Sequence, residues 1–122
     1  MNTDVRNLLI EIARKRQIIY YQELCDNCQL PLNMHDNPQD RLEKGRIIGE
    51  VSVHEFKQKR PLLSALVIAR SGEEGDGFYK LCEDLGITSD WRKLKRDGIF
   101  AAQEIGRCHD FWRKDEYYKK YK

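Results

Sequence analysis

The sequence lacks the marks of several protein classes. Three prolines and eight glycines in 122 residues leave no proline-rich or glycine-rich tract, so nothing reads as a linker and one domain is expected over residues 1–122. No apolar run approaches the roughly 20 residues that cross a bilayer, so no membrane partner is expected. Residues Met1 to Arg6 lack the basic-then-apolar order of a secretion signal. The expected compartment is therefore the cytoplasm, where thiols stay reduced. Neither sign of charge dominates. Lys plus Arg is 22 and Asp plus Glu is 20, a formal net charge of +2, which excludes a histone-like protein and an acidic tail protein. The phosphate-cradling GxxxxGK[ST] loop, the HExxH zinc helix and the EF-hand loop are all absent. No catalytic residue, metal or cofactor is therefore expected. What is present is one core's worth of apolar material, 40% of the chain, in a chain long enough to fold without staples.

Cysteine is sparse but patterned. Cys25 and Cys28 form a CxxC, while Cys82 and Cys108 stand far apart. A zinc site needs a second close pair. A redox CxxC needs to open a helix after a strand, whereas this one closes the segment Tyr21–Cys25. The expected role of all four is as small apolar core residues, with metal binding and redox chemistry as the alternatives.

The elements can be read in order. Residues 3–16 read as a helix capped by Thr3, with Val5, Leu8, Leu9 and Ile12 on one face and cations in its last turn. Residues 17–20 are short and β-branched, a small strand. Tyr21–Asn27 reads as a short helix, and residues 29–39 as a loop. Asp40 and Glu43 look like a capping box for a helix running to about Gln58. Gly45 and Gly49 on that helix suggest close approach of another chain segment or a kink. Pro61 ends it, and the apolar run Leu62–Ile68 predicts a strand buried on both faces. Ser71–Gly77 is a glycine-rich turn carrying Glu73, Glu74 and Asp76. Phe78–Leu85 reads as a helix closed by Gly86. Thr88, Ser89 and Asp90 offer caps for a helix from Trp91, interrupted by Gly98, and a last helix covers 99–114. The class expected is α+β and mostly helical.

Charge is uneven along the chain. Residues 91–122 carry +5 and residues 1–90 carry −3. The basic stretch interleaves with Trp91, Phe111, Trp112, Tyr117, Tyr118 and Tyr121. Its cations could meet phosphates and its rings bases, or the rings could pack inward while the lysines solvate. Glu50 and His54, at i and i+4, share a helix face beside Glu55. With Lys57, Lys59 and Arg60 following, the cluster suits either surface ion pairing or a metal-dependent nuclease. Ser64 lies in the apolar run with no base beside it.

Two short motifs carry a resemblance. Tyr21-Gln22-Glu23-Leu24 follows the first helix and small strand, and Arg46-Ile47-Ile48-Gly49 lies on the helix before Pro61. Over about residues 5–80 the chain resembles the DNA-binding domain of O6-alkylguanine-DNA alkyltransferases and alkyltransferase-like proteins. The resemblance implies a winged-helix-like fold in residues 1–86, with 87–122 a basic, aromatic helical extension. It also implies that Tyr21 helps turn a nucleotide out of the duplex and that Arg46 fills the gap. The family's Pro-Cys-His-Arg motif falls where this chain has Pro61-Leu62-Leu63-Ser64, so no thiolate stands there to accept an alkyl group. The run Arg60–Ile68 followed by Gly75-Asp76-Gly77-Phe78-Tyr79 is also similar to an uncharacterised group of small bacterial and phage proteins, which implies no activity.

The expected function is a non-enzymatic nucleic-acid-binding domain, for DNA before RNA. Tyr21, Arg41, Lys44 and Arg46 would face the nucleic acid, and Arg92, Lys93, Lys95 and Arg96 would add phosphate contacts. The alternatives are a protein-interaction module, of the inhibitor or immunity type found in phage and bacterial conflict loci, and the nuclease.

Overall fold

The computed structural model describes residues 1–29 and 38–122, and for residues 38–41 the backbone alone. The first helix, α1, spans Thr3–Arg14. Its cap is Asn2, not Thr3: Asn2 Oδ1 accepts the Val5 N–H at 3.0 Å, satisfying one of the donors a helix start leaves open. The strand β1 is only Ile19–Tyr20, and α2 covers Tyr21–Asn27, the bounds expected from the sequence. The helix α3 runs Pro38–Lys57. It starts at a proline, whose missing N–H costs nothing there, so Asp40 lies inside the first turn and not at the cap. Most of the predicted loop lies outside the described residues.

The run after Pro61 differs from expectation. Leu63–Leu66 is a 3-10 turn, followed by a two-residue strand, β2, at Val67–Ile68. Every residue of it is buried, which is why it reads as a central strand. A 3-10 turn repeats every three residues. Leu63 and Leu66 therefore enter one apolar cluster, with Val5, Leu9, Ile48 and Trp112. Leu62 and Ala65 enter the other, with Phe78, Tyr79, Cys82 and Ala101. The third side carries Ser64, whose N–H donates to Ser52 Oγ at 2.9 Å, while the two hydroxyls lie 2.6 Å apart. Each fully buried leucine here stabilises the fold by about 1.5–3 kcal/mol.

β1 and β2 pair in parallel, Ile19 opposite Val67 and Tyr20 opposite Ile68. The fold is thus mostly helical with one small parallel pair, and the described residues contain no antiparallel hairpin that could form a wing. α4 (Asp76–Asp84) and α5 (Trp91–Asp97) follow. Asp90 caps α5 as predicted, accepting from the Arg92 and Lys93 N–H groups. The predicted last helix is α6, Phe100–Arg113, and a further short helix that the sequence reading leaves unassigned, α7, Asp115–Tyr121, follows it. Lys114, extended at φ −77° and ψ 119°, separates them. α6 adds Cys108 and Trp112 to the cluster that α1 lines. Of residues 87–122, α6 is thus part of the core, while α5 and α7 bury no whole residue.

α7 folds back on α1. Arg14 donates to the Trp112 carbonyl at 3.0 Å and to Asp115 at 2.8 Å, and its guanidinium lies 4.0 Å from the centre of the Tyr118 ring. Glu11 accepts from Lys122 Nζ at 2.6 Å and from the Tyr118 hydroxyl at 2.5 Å. The Phe111 and Tyr117 rings stack at 4.7 Å. Of the two readings of the aromatic segment, inward packing is the one found. No described helix is long and apolar enough to cross a membrane.

Candidate nucleic-acid interface

α2 and α3 carry the two motifs, and the fold brings them together. The Tyr21 hydroxyl lies 3.8 Å from where a Cβ on Gly45 would sit, one residue before Arg46. Tyr21 is half-buried, and burial pushes its phenol pKa well up, so the ring stays neutral. Gly49 lies 3.9 Å from Leu81 on the same measure, where α3 meets α4. Both glycines therefore make ordinary contacts that a methyl group would fit.

Arg46 is 55% exposed at its side chain. Its guanidinium is held between Glu43 and Glu50, one turn to either side on α3. This is i,i+3 and i,i+4 pairing, which the spacing allows. The Glu43 hydrogen bond and the charges of Glu43 and Glu50 raise the Arg46 pKa further, while Arg46 holds the Glu43 carboxyl below its usual range. Two carboxylates on one guanidinium leave the site net negative.

Lys44 corrects the predicted set. It is only 1% exposed, and a buried ammonium offers a phosphate no contact. The Arg41 side chain lies outside the described residues. On α5, Arg92, Lys93 and Arg96 are exposed, whereas Lys95 pairs with Asp76. The Arg92 guanidinium and the Lys80 ammonium lie 4.6 Å and 5.4 Å from the Trp91 ring centre. Lys80 thus belongs to this patch, although 11 residues separate it from Trp91 and nothing local marks it. α5 packs on α4 and α6, and α4 on α3, so the two predicted groups of cations lie on different elements of the surface.

The nuclease cluster comes apart. Glu50 pairs with Arg46. Glu55 is fully buried, with Arg60 donating to Oε2 at 2.7 Å and 3.0 Å and Arg6 to Oε1 at 3.3 Å. Among the described residues no group of three His, Cys, Asp or Glu could hold a metal. Leu62 and Leu63, after Pro61, are buried. Cys25, Cys82 and Cys108 are buried and Cys28 half-buried. Burial pushes Cys82 up to about 12 and Cys108 well above its ordinary value, so neither is a ready nucleophile.

Comparison with protein-family models, with curated proteins and with solved structures finds no significant match.

Proposed function

We propose that this chain is a non-enzymatic nucleic-acid-binding domain, meeting DNA through α2 and α3 and transferring no alkyl group. One observation carries the reading. The motif at Tyr21 and the motif at Arg46, 25 residues apart in sequence, lie side by side because the Tyr21 hydroxyl rests over Gly45. The exposed Arg92, Lys93 and Arg96 supply cations for phosphate. Apolar Leu62 and Leu63 and a Ser64 hydroxyl tied to Ser52 are consistent with binding without chemistry.

The pairing of Arg46 gives the reading a specific form. The guanidinium has to leave Glu43 or Glu50 before it meets a phosphate or a base gap, so binding is weakened by those carboxylates. The test is fluorescence anisotropy with labelled duplex DNA, single-stranded DNA and RNA at low and high salt. Salt-sensitive binding, tightest for duplex DNA, is expected. Arg46→Glu should weaken it, and Glu43→Gln with Glu50→Gln should strengthen it. Equal binding by Arg46→Glu and the parent chain sinks this docking mode, and no binding at low salt removes nucleic acid altogether.

A further inference from the structure

A groove of about 560 Å³ opens where the end of α3 meets α6, away from the Tyr21–Arg46 pair. Its volume falls in the range of real ligand sites. Phe56, Leu62, Ile87 and Phe100 give it an apolar floor. Phe56 is 38% exposed, and Ile99, next to Phe100, is 59% exposed.

The lip is basic. Lys57 and Lys59 are exposed, and among the described residues neither has an acidic partner. Lys59 takes φ +61°, a backbone region that favours glycine, because it closes α3: its N–H donates to Phe56 O at 2.9 Å, and the Arg60 N–H to Glu55 O at 2.9 Å. Arg107, exposed and paired with Glu104, stands beside these lysines, while Arg60 in the lining is buried and held by Glu55. Glu104 is already engaged, by the Leu62 N–H at 2.8 Å and by Arg107 at 2.7 Å.

We infer that this groove docks an acidic peptide segment of a partner protein, with aliphatic or aromatic anchors on the floor and carboxylates against Lys57, Lys59 and Arg107. The complementarity runs in charge and in polarity together. The floor side chains Phe56, Leu62, Ile87 and Phe100 present carbon, so a nucleobase seated on them would lay its polar edge against an apolar surface, which costs free energy. An apolar side chain has no such edge. The inference is independent of the nucleic-acid reading, since none of these residues belongs to the Tyr21–Arg46 surface.

The test uses the full chain and three probes: a synthetic peptide alternating Glu or Asp with Leu and Phe, the same peptide with Lys replacing every acid, and a duplex DNA oligonucleotide. Amide chemical-shift mapping should move residues 56–62, 87 and 100–107 with the acidic peptide only. Lys57→Glu with Lys59→Glu should weaken that binding by about tenfold, and Arg46→Glu should leave it unchanged. Lys59→Gly, which relaxes the backbone while removing the charge, provides a variant that keeps the fold and should weaken binding several-fold. Equal binding of the lysine peptide, shifts scattered away from the groove, undiminished binding by the Lys57/Lys59 variants, or displacement of the peptide by DNA each overturns the inference.

Discussion

α3 carries two arginine–glutamate arrangements that mirror each other. Near its middle, one arginine lies between two glutamates, in the open. At its end, one glutamate lies between two arginines, Arg6 and Arg60, fully enclosed. The enclosed trio has an excess positive charge, which the C-terminal carbonyls of α7 meet: Arg6 donates to Tyr121 O at 2.7 Å and to Lys122 O at 3.5 Å. Those carbonyls are the negative end of a helix dipole. The same residue types therefore do different things on one helix. The open trio sets local charge and is screened by salt. The enclosed trio joins α1, α3 and α7, because removing any partner strands a charge without water.

Substitutions can break or sharpen this contrast. Glu55→Ala should have the largest effect, a loss of about 3–5 kcal/mol, because two guanidiniums lose their counter-charge in the interior; urea denaturation measures it. Glu104 is an intermediate case, a buried carboxylate with an exposed arginine partner. Glu104→Ala should cost about 1–3 kcal/mol, since the buried Leu62 N–H loses its acceptor. Glu104→Gln, which keeps an acceptor, should recover most of that in the same assay.

Smaller still is the response to pH of two other carboxyls, which have opposite signs. Glu74 is buried with Oε1 unpartnered, and burial raises its pKa above the model-compound 4.5. Its contribution is favourable while it is protonated and declines as pH rises from that value through the raised one. Glu11, lowered by Lys122 and Tyr118, contributes at higher pH and loses its effect as pH falls through its lowered value. Melting temperature against pH should show the Glu74 slope vanish in Glu74→Gln and the acid-side loss shrink in Glu11→Gln. Least of all, Arg46→Ala should leave the denaturation curve where it is. A clear destabilisation there would mean the open trio is structural after all.

The helix ends explain how much of the fold was legible. The same closing turn ends α1, α3 and α4, at Arg16, Lys59 and Gly86, all with positive φ. Gly86 and Gly98 announce themselves, and the helices they close are read within a residue or two. Arg16 and Lys59 take the same conformation without being glycine; the reading runs two residues past the end of α1 and one past that of α3. The reading of α6 ends at Lys114, where the break lies, and leaves α7 unassigned, because residues 115–121 are too short and polar to show an apolar stripe. The 3-10 turn reads as a strand because complete burial erases periodicity. Among site residues, Asp90 as a cap follows from local spacing, whereas the i,i+4 partner of Glu50 is Arg46 and not the His54 that the reading pairs with it. Lys44 misleads because its charge suggests exposure. The link from Glu55 to Arg6 crosses 49 residues, and no local pattern encodes it.

The 3-10 turn at Leu63–Leu66 is shared by both apolar clusters, with leucines entering one and Leu62 and Ala65 the other. Neither cluster can open alone without exposing one side of it. The Ala65 N–H, held at 3.1 Å by Leu62 O, and the Ser64 N–H on Ser52 should therefore exchange with deuterium only when the whole chain unfolds. These two amides act as clocks for global opening, and their equality would show that the two halves of this small protein rise and fall as a single cooperative unit.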